Sequence, residues 1–154
     1  MDQVLVNLLK GAEKVLGQPL DSFKGPVGKE ERWKRINAVK DFWENLEWMP
    51  NAKKLYQFIV RYDTKVLSAY TNKDPNSRNG KMKWLAKNTN FKRKDIHLVL
   101  RSEKQNYAVS DGKPNVLVDD HPKNIREWEA KGGIGVHHTS VSKTVAELKR
   151  LGFK

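Results

Sequence analysis

Val116-Leu117-Val118-Asp119-Asp120 is an apolar run that ends in two adjacent carboxylates. Like charges so close repel one another unless a cation lies between them, and a hard divalent ion such as Mg²⁺ takes oxygen ligands of this kind. The competing reading is structural, since an Asp pair just ahead of a helix can cap it. Two other short apolar runs also end in polar residues. Thr64-Lys65-Val66-Leu67 leads to Ser68, whose hydroxyl can donate to an anionic oxygen or cap a turn. Asp95-Ile96-His97-Leu98-Val99-Leu100 leads through Arg101 to Lys104, a cation able to neutralise a phosphate. A single lysine among 30 basic residues is more often simply solvated. His137-His138 looks like a metal pair, but adjacent strand residues face opposite sides, and a structural role is expected. Gly132-Gly133-Ile134-Gly135 lacks phosphate-loop spacing and reads as a helix-to-strand turn.

These residues need elements to hold them. Val4, Leu5, Leu8, Leu9, Ala12, Val15 and Leu16 recur at helical spacing and predict a helix over 4–17, stopped by Gly17. Residues 18–29 hold two Pro and two Gly and read as a loop. A second helix is expected over Glu30 to Glu44, and a third after Pro50, which suits a first helical turn. Strands are expected at 64–69, 95–100, 115–118 and 134–137. Helices are expected at 76–87 and 124–130, and a last one opens at a Thr144-to-Glu147 capping box. Strands alternating with helices predict an open parallel α/β sheet, with ligands at the carboxyl ends of the strands. Those ends carry Ser68, Lys104, Asp119-Asp120 and His137-His138. Residues 18–50 interrupt the alternation and read as a small helical insertion in a single domain spanning 1–154.

Charge narrows the partner. The chain of 154 residues carries a net +12, and residues 65–113 hold 12 basic against 4 acidic side chains. That concentration predicts an anionic partner, phosphorylated small molecules or nucleic acid. No apolar run approaches the length of a membrane span, and the acidic, short apolar start at Met1 to Leu9 does not read as a signal peptide. The absence of Cys excludes disulfides, thiolate zinc sites and a Cys nucleophile, and is consistent with the cytoplasm. Five Trp are present, three of them (Trp33, Trp43 and Trp48) in or beside the insertion. Phe42-Trp43 can stack on a nucleobase or build a core, and Trp84 and Trp128 read as core.

Taken in order, strand-Ser68, strand-loop-Lys104 and strand-Asp119-Asp120 resemble three successive motifs of the haloacid-dehalogenase-like (HAD-like) phosphohydrolases. Within that superfamily the chain is similar to the 5′(3′)-deoxyribonucleotidase family. That closer likeness rests on Val66-Leu67-Ser68-Ala69, on Val99 to Lys104, on Leu117-Val118-Asp119-Asp120-His121-Pro122, on Asp41-Phe42-Trp43-Glu44-Asn45-Leu46 followed by Pro50-Asn51-Ala52, and on Gly132 to Val136. The resemblance implies a Rossmannoid three-layer α/β/α parallel sheet with a helical cap over 18–50. It also implies Mg²⁺-dependent hydrolysis of a (deoxy)nucleoside monophosphate through an aspartyl-phosphate.

The family's first motif is Asp-x-Asp at the end of a strand. Asp2 matches its second Asp, the general acid/base, so the nucleophilic Asp and its strand would stand before Met1. In this fold that strand lies centrally, between those of Ser68 and Asp119, so the two are expected to close on each other or leave a gap. The resemblance assigns Mg²⁺ to Asp119, with the backbone near Asp2, and gives Asp120 a tuning role. It assigns phosphoryl oxygens to Ser68 and Lys104, and the base to Phe42 and Trp43. Without the nucleophile the alternatives are an inactive relative that binds nucleotide or a protein partner, and a basic nucleic-acid-binding protein.

Overall fold

The computed structural model describes all residues 1–154. Helix α1 covers Leu8–Leu16, where the Asn7 side chain accepts from the Lys10 N–H at 3.1 Å and Gly17 closes it at φ +70. It starts later than the periodicity predicts. Val4, Leu5 and Val6 are all buried, so this stretch has no polar face to give water, and it folds as turns whose N–H groups converge on the Met1 carbonyl.

Helix α2 spans Gly25–Asn37, displaced toward the amino end from the expected 30–44 and taking in part of the expected loop. Pro26 sits in its first turn, and Gly28 is tolerated inside it because a Cβ there would meet the Phe23 backbone at 2.8 Å. Residues 39–45 form turns, with Asp41 in the left-handed region. Helix α3, Ala52–Ile59, lies where a third helix is expected, but Asn51 caps it in the left-handed region and Pro50 stands just ahead of that cap, not in the first turn.

The second half alternates as predicted: β1 Val66–Ala69, α4 Ser77–Asn88, β2 Ile96–Val99, the hairpin strands β3 Val109–Ser110 and β4 Lys113–Pro114, β5 Val116–Asp119, α5 Pro122–Ala130, β6 Ile134–His137 and α6 Val141–Arg150. The final helix is capped by Ser140, which accepts from the Lys143 N–H, and not by Thr144. Thr144 is buried one turn inside, where its hydroxyl bonds His138 Nδ1 at 2.6 Å.

The fold is mixed α/β, but the strands do not join into one sheet. β1 pairs in parallel with β2, with Ser68 opposite Leu98, and β5 pairs in parallel with β6, with Asp119 opposite His137. No ladder joins β1 to β5. A core cluster of 18 buried residues, Trp84 and Leu85 among them, unites the chain, and Ile36, Phe42, Trp43 and Leu46 from the 18–50 segment belong to it. A smaller cluster of Ala108, Leu117, Ile125 and Trp128 lies under α5. No helix is long and apolar enough to cross a membrane.

Candidate functional site

The carboxyl ends of β1 and β5 bring charged side chains together. Along β1 the buried face is Val66 and Ser68, and along β5 it is Leu117 and Asp119, so the period of two turns Ser68 and Asp119 inward at the strand ends. Asp119 is almost fully buried. Its Oδ2 accepts from Lys104 Nζ at 2.7 Å and from Asn124 Nδ2 at 3.1 Å, and its Oδ1 accepts from the His121 N–H at 2.9 Å. The last two bonds show that Asp119 also braces the start of α5, so the structural role weighed for this pair is real. Lys104 reaches the site from a 3₁₀ stretch over Arg101–Tyr107 and is itself buried.

Lys81 is the residue that sequence reasoning missed. It is 2% exposed, and its Nζ lies 2.6 Å from Asp2 Oδ2, 3.4 Å from Ser68 Oγ, and in contact with the Ala69 carbonyl. One signal for it exists in the sequence. Ser77, Lys81, Trp84 and Leu85 stand at i, i+4, i+7 and i+8 of α4, and all are buried, so a lysine on that stripe must find a counter-charge inside. Asp2 answers that need with one oxygen, while its Oδ1 is buried with no hydrogen-bond partner.

The electrostatics reflect this crowding. Burial alone would raise the Asp119 pKa, but the Lys104 charge and hydrogen bond, with the His121 N–H, outweigh it and hold the carboxyl at about 2. Burial and the neighbouring Asp119 charge push Asp120 up instead. The Met1 α-amino group is lowered to about 6 by burial and then by Lys104, with Asp2 and Asp119 opposing. His138 is held low by burial and by the Met1 charge.

The two histidines split as the strand geometry requires. His137 contacts the Asp120 carbonyl at 3.0 Å through Nε2, and His138 turns inward to Thr144. Gly132 and Gly133 make the expected turn, since a Cβ on Gly133 would strike Trp128 Nε1 at 2.2 Å. Phe42 and Trp43 are buried, in edge contact at 5.3 Å between centroids, and Trp43 Nε1 donates to the buried Asp74 at 2.6 Å. They are core residues first, although both border a cleft of about 400 Å³ between the end of α2 and the start of α4. Lys81 Nζ lies 5.2 Å from the Trp43 ring centroid, so this indole separates the cleft from the charged cluster.

No three His, Asp or Glu side chains are grouped to hold a metal by themselves. The donors present still suit Mg²⁺. They are oxygens only, the unpartnered Asp2 Oδ1 is buried, and Mg²⁺ characteristically keeps several waters beside one or two carboxylates. The Asp119 side chain, with the backbone near Asp2, would hold it.

Comparison with family models and with curated protein sequences finds no match to this chain.

Proposed function

We propose that the chain is the greater part of a HAD-like phosphomonoesterase acting on (deoxy)nucleoside monophosphates, with the helical segment 18–50 as a cap. The supporting observation is the convergence of Asp2, Ser68, Lys81, Lys104 and Asp119 from separate segments at the carboxyl ends of two parallel strand pairs. Two buried ammonium groups and a hydroxyl suit the oxygens of a phosphoryl group, and buried cations stabilise charge more strongly there than in water. When bound, Mg²⁺ supplies further charge neutralisation at that phosphate. Asp2 gives its proton to the leaving ribose oxygen and later takes one from water. Ser68, Lys81 and Lys104 hold the phosphoryl oxygens, with Lys81 handing its charge from Asp2 to the substrate. The base would lie in the cleft that Phe42 and Trp43 border.

The covalent step needs one more carboxylate, placed ahead of Met1. The test is phosphate release from deoxynucleoside monophosphates by a chain extended at Met1 with an apolar strand ending in Asp. At least a thousandfold gain over the chain that starts at Met1 is expected, because losing a nucleophile costs several powers of ten. Asp2→Asn in the extended protein should remove most of that gain. Robust turnover without the extension, unchanged by Asp119→Asn, would overturn the reading.

A further inference from the structure

The charged cluster absorbs little of the net +12. Of the 12 basic side chains between 65 and 113, Lys81 and Lys104 belong to that cluster, Lys83 pairs with Glu44 and Arg101 pairs with Glu127. Among the rest, Lys65, Lys87, Lys92, Arg93, Lys94 and Lys113 are exposed, and none of them forms an ion pair.

The topology gathers these cations on one face. Parallel pairing sets Val66 beside Ile96 and Val116 beside Ile134, so the amino ends of each strand pair lie together. Lys65 and Asn115, at the amino ends of β1 and β5, line one groove. Lys65 stands just ahead of β1, Lys92 to Lys94 just ahead of β2, and Lys113 just ahead of β5. Lys87 lies in the last turn of α4, which returns the chain to the start of β2. At about 3.3 Å per residue, β1 separates this face from Ser68 by about 10 Å. That is about one Debye length in physiological salt, so the face attracts ligands separately from the charged cluster.

The fold does not use up this charge. Asp63, Asp95 and Asp111 are the carboxylates on the same connections, half as many as the cations, and none of them is ion-paired. Lys87 answers the dipole at the end of α4, and the other cations exceed that need. The loop that carries three of them is fixed. Asn90 N–H donates to the Tyr56 hydroxyl at 2.8 Å, the Phe91 ring meets the Tyr56 ring edge-on at 5.6 Å between centroids, and Asp95 N–H donates to the Lys92 carbonyl at 2.8 Å. Three consecutive cations on an anchored turn lose little freedom when they meet a ligand. Phe91 is committed to Tyr56, which leaves the loop with charge and no apolar anchor. Stable membrane attachment takes both, whereas a chain of phosphates is met by charge alone.

We propose that this face, at the opposite end of the strands from the phosphate site, binds the phosphate backbone of a nucleic acid without reading its sequence. The inference stands on charge and topology, and holds whether or not the site hydrolyses phosphomonoesters.

The test follows fluorescein-labelled oligonucleotides, one single strand and one duplex, by anisotropy with the whole chain. Saturable binding of at least one is expected, weakening about a hundredfold between about 50 and 200 mM KCl, as for about four phosphate contacts. Lys92→Glu, Arg93→Glu and Lys94→Glu together should weaken it about tenfold or more. The neutral set Lys92→Gln, Arg93→Gln and Lys94→Gln, which adds no repulsion to the fold, should weaken it several-fold. A control with the same charge change at exposed positions elsewhere, Lys24→Glu, Lys29→Glu and Lys143→Glu, should lose far less. Circular dichroism confirms that each variant is folded. Excess deoxynucleoside monophosphate at matched ionic strength should not displace the oligonucleotide. The proposal is overturned by absence of saturable binding to both oligonucleotides, by undiminished binding in the neutral set, by equal losses in the Glu set and its control, by displacement with the monophosphate, or by tighter binding to phosphatidylserine–phosphatidylcholine vesicles. Phosphate release is not the readout, so failure here leaves the hydrolytic reading to its own test.

Discussion

Lys81 and Asp2, 79 positions apart, meet at 2.6 Å with the lysine 2% exposed. A buried ammonium needs a counter-charge, so this pair ties the first residues of the chain to the middle of α4. It also sets Lys81 beside Ser68, where, in the proposed reading, a substrate phosphate would compete with Asp2 for it.

Lys81→Met removes the cation and leaves the Asp2 carboxylate unpaired. Breaking a buried pair from one side typically costs about 3–5 kcal/mol, and the lower end applies because Asp2 keeps some solvent contact. Urea denaturation should show a loss of about 3 kcal/mol. Adding Asp2→Asn should recover a good part of it, since no charge is then left unpaired. Equal and additive losses in the two single variants would show that the pair is not coupled.

The Lys104–Asp119 pair predicts a window of acid sensitivity. The Asp119 carboxyl is held down from 3.8 to about 2, so its contribution is fully present above pH 4 and is lost as pH falls toward 2. The contribution is about 2 kcal/mol by linkage. Denaturation of the metal-free protein between pH 5 and pH 2 should show this decline, and Asp119→Asn should flatten it.

The Met1 amine acts in the opposite range. Its folded value is lowered from 8.0 to about 6, so between those values the unfolded chain binds more protons than the folded one. Stability should therefore rise as pH increases from 6 to 8 and level off above. Titrating the amine by pH-dependent acylation should give an apparent pKa near 6. An unshifted value would place the amine in solvent.

Much of the second half was legible in the sequence because its strands are short apolar runs bounded by polar residues. Ser68, Asp119 and Lys104 could be placed at strand ends by period and order alone. The amino-terminal half was harder. Val4 to Val6 match a helical stripe, but burial on every side decides against a surface helix there. Gly28 looked like a loop residue until the Phe23 backbone was seen to need its missing side chain. Lys81 hid because one lysine in a basic helix looks solvated, and only a partner near the start of the chain brings it inside. The single sheet expected from the alternation resolves into two pairs, because backbone pairing depends on what lies between β1 and β5, which no local pattern encodes.

The central claim is that the carboxyl ends of β1 and β5 form a Mg²⁺ and phosphate site. Calorimetric titration with Mg²⁺ at pH 7 tests it most directly, on the chain and on Asp119→Asn, with circular dichroism confirming that both are folded. One binding event in the parent chain, lost in Asp119→Asn, is the result this account predicts. Equal binding by both proteins would remove Asp119 as a ligand, and no binding by either would contradict the site itself.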